Sequence, residues 1–355
     1  MNQFTFELPG PAPGNGANRP TRAKRSTLGM VAREAGVSPS TVSRVLNGTA
    51  KVAEATRASV LRAIEKLDFR PDPAARSLAG GRTMSIGVLT QYLDSPFYGQ
   101  ALSGIEETLN DNGYIPLFVS GHWNRAQDQE RLALLSERKV DGIIVLTELL
   151  LDASLTELAT RVPVVMVGRK IDGPNLASLA FDNVEASRLA VGHLLGLGHR
   201  NIAYITGPTD HLDAWQRLDG YTNELGAHDI AFDPRLVVRG DYREAGGFKA
   251  MQHLLQTGLN FSAVITGNDQ MAYGARLALS RTGLRVPDDV SLVGFDDLPH
   301  SAYTVPPLTT VRLPIHAIGS LAASTVLAML NGENPSPDTP PAELVVREST
   351  RRVLA

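Results

Sequence analysis

The stretch "VAREAGVSPSTVSRVLNG", Val31 to Gly48, decides how the first part of this chain folds. Thr27 stands where it can N-cap a helix carrying Val31, Ala32 and Ala35. Gly36 offers the left-handed backbone that ends such a helix and turns the chain. Ser38 is a cap for a second helix, and Pro39 falls at its first position, where a fixed φ helps and the missing N–H costs nothing. In that second helix Val42, Val45 and Leu46 share one face, while Ser40, Thr41, Ser43, Arg44 and Asn47 point outward. A third helix, Val52 to Leu67, brings Val60, Ile64 and Leu67 to helical spacing. Three short helices with a glycine turn between the first two make a helix-turn-helix unit.

Charge says what such a unit would meet. From Arg19 to Arg82 there are 13 Lys/Arg against 5 Asp/Glu, whereas the rest of the chain carries 21 against 32. A basic block on an acidic body points to a polyanion partner for that block alone. A slim helix with hydrogen-bonding side chains fits the major groove of double-stranded DNA, and its N-terminal amides favour a phosphate. The competing reading is a helical cap whose polar face is merely solvated.

Outward from this unit the texture changes twice. Residues 1–25 are Pro/Gly/Asn-rich and aperiodic, and read as a disordered tail before a DNA-binding domain over 26–70. "RPDPAARSLAGGRT" makes residues 71–83 a linker with a short helical centre. Over 84–355, strand-like runs ("SIGVLT", "YIPLFVS", "DGIIVLT", "PVVMVG") alternate with amphipathic helical stretches. The rhythm restarts after "ASLAFD" with helix 183–197, "NIAYITG", a helix from about Trp215, "RLVVRG", helix 243–256, "SAVITG", helix 269–282 and "VSLVGF". Such alternation implies crossover units on parallel sheets, and two series imply two doubly wound α/β lobes with a ligand cleft at the strands' carboxyl ends.

Several function classes drop out. With no cysteine there are no disulfides, thiolate metal sites or cysteine nucleophiles. The eight histidines show no metal-ligand spacing, and no strand leads into a GxGxxG turn or a P-loop, so neither metal nor cofactor is expected. No membrane-length apolar run and no secretory leader pattern is present, which makes the cytoplasm the expected compartment.

These residues, followed by "LDFRPDPAARSLAGGRT" and two α/β lobes, resemble the LacI/GalR (lactose-repressor/galactose-repressor) family of transcription regulators. Further likenesses are "LGHRNIAYITGP", "RLDGY", "GNDQMAYGA", "VSLVGFDDLP" and "PPLTTVRLP", so the match runs from about Thr27 to Arg351. The fold this implies is α plus α/β: a three-helix DNA-binding domain, a hinge helix, then two lobes of periplasmic-binding-protein type. By position, Pro39 and Ser40 fall where the family varies its base-reading residues. Ser38, Thr41, Ser43 and Asn47 match phosphate-contacting and docking positions, and Arg44 an arginine that reads a base. Leu78 matches a leucine wedged into the minor groove by the paired hinge helices. Two departures stand out: Met30 replaces the usual acid near the first helix start, and Asp72-Pro73 replaces the usual pair before the hinge.

The resemblance also implies an effector site. Arg217, Asn268 and Asp296 match effector-binding positions, Tyr242 matches an aromatic packed on the ligand, and Phe97 and Arg169 are expected neighbours. Carboxylate, amide and guanidinium groups around an aromatic face suit a sugar. The alternative for Arg217 is an ion pair with Asp219 or Glu224 on its own helix; Asp269 reads as a helix cap. The implied protein is a homodimeric repressor on a near-palindromic operator, with a sugar changing its DNA affinity. A periplasmic sugar-binding protein would share the lobes but not the basic head, and a purine or sugar phosphate is the alternative effector. An enzyme would need a reactive constellation, and the neighbouring Asp296 and Asp297 point to opposite faces of a strand.

Overall fold

In the computed structural model the described residues are 26–47, 52–69 and 81–353. The tail expected over 1–25 and the hinge with Leu78 lie outside them. The chain divides into two compact units, Met1–Gly81 and Arg82–Ala355.

The first unit contains α1 (Leu28–Ala35), α2 (Pro39–Asn47) and α3 (Glu54–Lys66). Thr27 is the N-cap of α1 by position, yet its side chain makes no capping bond. Gly36 ends α1 at φ 67°, and the N–H of Val37 donates to the Ala32 carbonyl. Ser38 does cap α2: its Oγ accepts from the Thr41 N–H at 3.2 Å. Val31, Val42 and Val60 are fully buried, one from each helix, with Ala32, Ala63 and Phe69 around them. Val45, Leu46 and Ile64 pack against that core.

The second unit is built on two sheets. The first contains β1 (Ser85–Thr90), β2 (Ile115–Ser120), β3 (Gly142–Val145), β4 (Val164–Gly168) and β5 (Leu176–Ala180) in the order β2-β1-β3-β4-β5, all parallel. Between them run α4 (Pro96–Asp111), α5 (Arg125–Glu137) and α6 (Asp152–Ala159). The second sheet contains β6 (Ile202–Thr206), β7 (Val237–Arg239), β8 (Ala263–Thr266), β9 (Ser291–Asp296), β10 (Thr309–Arg312) and β11 (Glu343–Val345), ordered β11-β10-β9-β8-β6-β7. Only β11 runs antiparallel. Its helices are α7 (Asn183–Gly196), α8 (Leu212–Ala227), α9 (Glu244–Gln256) and α10 (Asp269–Arg281). Interior strands such as β3 and β9 are buried along their whole length, as parallel sheets covered on both faces require.

Two details depart from the expected succession. The last helix, α11 (Ile315–Leu330), returns to the first lobe, where Ile315, Ile318, Ala322 and Val326 join the core of β1, β3 and β4. The chain then goes back to place β11 in the second sheet, so three connections cross between the lobes. Glycine makes the return possible: a Cβ on Gly319 would overlap the Ala101 carbonyl, and one on Gly104 the His316 carbonyl. The other departure is α8, which begins at Leu212 rather than near Trp215 and so carries Asp213 in its first turn.

Candidate functional site

On α2, Ser38, Pro39, Ser40 and Arg44 are exposed, and Thr41 and Ser43 are half-buried. Ser38 Oγ lies 2.8 Å from Ser40 Oγ and 2.9 Å from Thr41 Oγ1, so the three hydroxyls at the helix start hold one another. Asn47 closes α2, and its side chain lies outside the described residues. The unit therefore presents a small, polar helix face while its aliphatic residues face inward.

In the second unit the carboxyl ends of the strands of both sheets converge on one cleft of about 320 Å³. Phe97 and Tyr98 come from the start of α4, Trp123 from the turn after β2, and His211, Asp213 and Arg217 from the start of α8. Tyr242 follows β7, Asn268 follows β8 and Asp296 ends β9. Ligand sites in open α/β sheets form at these strand ends. A smaller inner compartment of about 50 Å³ adds Glu148, at the end of the first sheet's β3, and Gly168.

Arg217 organises the floor. It is 4% exposed; its Nε donates to Asn183 Oδ1 at 3.0 Å and its Nη1 to the Gly267 carbonyl at 2.5 Å. Asp213 lies 3.8 Å and Asp296 4.0 Å from the guanidinium, which stacks 3.8 Å from the centre of the Phe295 ring. Neither Asp219 nor Glu224 pairs with it; Glu224 pairs with Arg188 at 2.8 Å. Burial pushes the Asp296 carboxyl well above the usual carboxylate range, against the opposing pull of Arg217. Burial and the nearby Asp213 also push Glu148 up, to about 7. Burial lowers His211, which keeps its ring neutral.

Aromatic rings make the walls. Tyr98, Trp123, His211 and Tyr242 follow one another at centroid separations of 6.4, 3.8 and 5.6 Å. The Trp123 turn is pinned from behind: its N–H donates to Gln91 Oε1, and Gln91 Nε2 donates to the buried Asp128 at 3.3 Å. Thr147 Oγ1, beside Glu148, donates to the same carboxylate at 3.0 Å. Three buried polar atoms of residues lining the cleft, Glu148 Oε2, His211 Nδ1 and Tyr242 Oη, have no hydrogen-bond partner within the protein. Buried polar atoms are normally paired, so these mark positions for a bound molecule.

Of the effector residues expected from sequence, Phe97, Arg217, Tyr242, Asn268 and Asp296 line this cleft. Asn268 is the cap of α10, accepting from the Met271 N–H at 2.9 Å and donating to the Tyr242 carbonyl at 3.0 Å, so its amide first fixes the wall. Arg169 departs from expectation and lines neither compartment. Its guanidinium donates to Asp152 Oδ1 at 2.5 Å and to the Leu150 carbonyl at 2.8 Å, an anchor within its own lobe. Asp269 departs as well. Asn268 holds the cap position, while the fully buried Asp269 accepts from Leu298 N–H, Ser301 Oγ and Thr310 Oγ1 at 2.6–2.7 Å, tying α10 to the chain beyond β9. Asp297 turns from the cleft to Arg312 and Arg347. Sequence reasoning missed Tyr98, Trp123, Glu148, His211 and Asp213, although each follows a strand end.

Comparison with known proteins bears on both units. Residues 27–72 match the model "Bacterial regulatory proteins, lacI family", and residues 191–350 match "Periplasmic binding protein-like domain". The chain is 37% identical over 314 residues to the HTH-type transcriptional regulator GalR of Salmonella typhimurium (strain SL1344), covering 88% of this chain and 92% of that one. It belongs to the LacI family. Within the LacI family it is also 35% identical over 305 residues to the HTH-type transcriptional repressor PurR of Proteus mirabilis (strain HI4320), covering 85% and 89%. The crystal structure of the lac repressor dimer bound to operator and the anti-inducer ONPF superposes with a TM-score of 0.82 at 30% identity, covering 92% of this chain and all of that one. As a LacI-family protein it is a DNA-binding transcriptional regulator, and the relatives it aligns with are regulators rather than enzymes. Among the described residues no helix is long and apolar enough to cross a membrane.

Proposed function

We propose that this protein is a cytoplasmic, non-enzymatic repressor of carbohydrate-metabolism genes. It acts as a homodimer on a near-palindromic operator. Pro39 and Ser40 read bases or shape, Arg44 reads a base, and Ser38, Thr41, Ser43 and Asn47 dock against the backbone. Leu78 enters the minor groove from the hinge.

The effector is a small neutral sugar held by Arg217, Asp296, Tyr242, Phe97 and the side of Asn268. The observation that supports this reading is the cleft itself: aromatic walls suit the C–H faces of a sugar ring, and its floor is rich in hydrogen-bond acceptors for hydroxyl groups. Cleft residues come from both lobes, so binding favours one lobe arrangement over others and operator affinity changes with it, reciprocally.

Fluorescence anisotropy on a labelled palindromic duplex, titrated with candidate sugars, tests this. Operator binding that weakens steeply between about 50 and 200 mM salt, and shifts with a sugar, supports the reading. Operator binding that responds to purines and to no sugar sinks it.

A further inference from the structure

The basic block at the start of the chain is unevenly filled. Its helical part, residues 26–69, carries six Lys/Arg against four Asp/Glu. One of the six, Lys66, already faces Glu34 at 2.6 Å. A domain that close to neutral holds a polyanion weakly, because the sequence-independent part of DNA affinity comes from cations that displace counterions from phosphates. The charge lies at the two flanks instead. "RPTRAKR", Arg19 to Arg25, has four Lys/Arg and no acid in seven residues, and Arg70 to Arg82 has three against Asp72.

Both flanks join the fold at one place. Ser26 Oγ donates to the Leu67 carbonyl at 2.6 Å, which ties the entry of α1 to the residue that ends α3. Phe69, two residues further on, is buried in the core of the three helices. Arg25 and Arg70 therefore adjoin residues held at the same pole of the unit, and the segments beginning there carry seven cations against one acid. Residues 19–25 lie outside the described residues, and they precede the stretch 27–72 that matches the lacI-family model, so their charge is a property of this chain beyond the matched domain. Their length is sufficient for several contacts. Seven residues reach at most about 24 Å, and one strand of a duplex offers a phosphate about every 3.4 Å, so roughly seven phosphates come within range of four cations. Solubility alone would not select this sign, since acidic residues serve it better and would repel the operator.

We infer that Arg19, Arg22, Lys24 and Arg25 are a second DNA-binding element, which contacts operator phosphates beside the linker and adds affinity without sequence preference. This rests on the DNA-binding role of the helical domain and not on the effector reading.

Anisotropy titrations of the full-length protein from about 50 to 200 mM salt, on a palindromic operator duplex and on a mixed-sequence duplex of equal length, test the inference. In the variant Arg19→Ala/Arg22→Ala/Lys24→Ala/Arg25→Ala the slope of log K against log salt should flatten by about 3–4 for each protomer bound, because every phosphate contact contributes about 0.9. Over that range the wild type should lose roughly a hundredfold more affinity per protomer than the variant. The loss should be equal on both duplexes, unlike that of Arg44→Ala, with the melting temperature unchanged. Arg19→Lys/Arg22→Lys/Arg25→Lys should keep the wild-type slope, since phosphate contact uses the charge alone. Equal slopes in wild type and the alanine variant overturn the inference. A loss confined to the operator duplex, or a lysine variant that behaves like the alanine one, assigns these residues to base or groove reading and overturns it equally.

Discussion

The indole of Trp123 and the imidazole of His211 stack with centroids 3.8 Å apart and planes 31° from parallel, one ring from each lobe. Each ring is held from its own side. Trp123 is fixed by the Gln91–Asp128 hydrogen bonds, and His211 by its place at the N-terminus of α8. The pair therefore reports lobe closure directly, because parting the lobes must part the rings.

Trp123 and Trp215 are the two tryptophans of the chain, and Trp215 is exposed, donating to the Thr209 carbonyl at 2.7 Å. Effector binding is expected to change tryptophan emission in wild type and in Trp215→Phe, but not in Trp123→Phe. Trp123→Ala should weaken the effector about tenfold, since an aromatic pair is worth about 0.5–1.5 kcal/mol beyond its buried area. A ligand-dependent signal surviving in Trp123→Phe would contradict this role.

Glu148 and Asp269 should each contribute a fall in the effector unit's stability as pH rises from about 4.5 to 7. His193, His199 and His211, whose pKa values burial lowers, contribute in the opposite direction. Burial lifts both Glu148 and Asp269 to about 7, so the folded protein holds protons that the unfolded chain releases from about 4 upward. The stability these two carboxyl groups contribute is thus fully present below the unfolded values and is lost as pH climbs through the folded ones. Glu148→Gln, a neutral isostere, should flatten part of that slope, by on the order of 1–3 kcal/mol across the window. Thermal melts at half-unit pH steps check this; identical slopes in wild type and variant would rule Glu148 out as the source.

Gly319→Ala is expected to destabilise the first lobe by about 1–3 kcal/mol, because the added methyl group meets the Ala101 carbonyl rather than a movable side chain. Gly36, by contrast, meets nothing within reach of a Cβ, and its cost on substitution comes from φ 67° alone. Urea midpoints for Gly319→Ala and Gly36→Ala should show the loss in different units of the protein.

Arg44→Ala should cost about 1–3 kcal/mol of operator binding and relax base preference at one position of each half-site. Its melting temperature should not move, since Arg44 is exposed and outside the core of the first unit. Equal weakening on operator and random duplex would reassign it to the phosphate backbone.

Much of this was legible in the residues. Val31, Val42 and Val60 announce three packed helices because helical spacing puts them on inward faces, and Gly36 and Ser38-Pro39 punctuate them with local backbone chemistry. The strand–helix alternation gave two parallel sheets for the same reason: period and punctuation are properties of neighbours in sequence. Arg217, Tyr242, Asn268 and Asp296 were found through a motif resemblance, and all reach the cleft.

What the chain order could not give was decided by packing at a distance. The return of α11 to the first lobe depends on Gly104 and Gly319 meeting backbone more than 200 residues away, which no local pattern encodes. Arg169 and Asp269 look from sequence like a ligand-facing and a capping residue, yet each went to the strongest partners within reach: Asp152 for the first, Ser301, Thr310 and the Leu298 amide for the second. Trp123, Glu148 and His211 became one site only when the two sheets placed their carboxyl ends face to face. Sequence by itself determined the elements and the family, because those follow from local periodicity and motif. The tertiary structure decided which side chains share the cleft, because burial and partner geometry are set only once both lobes have closed around it.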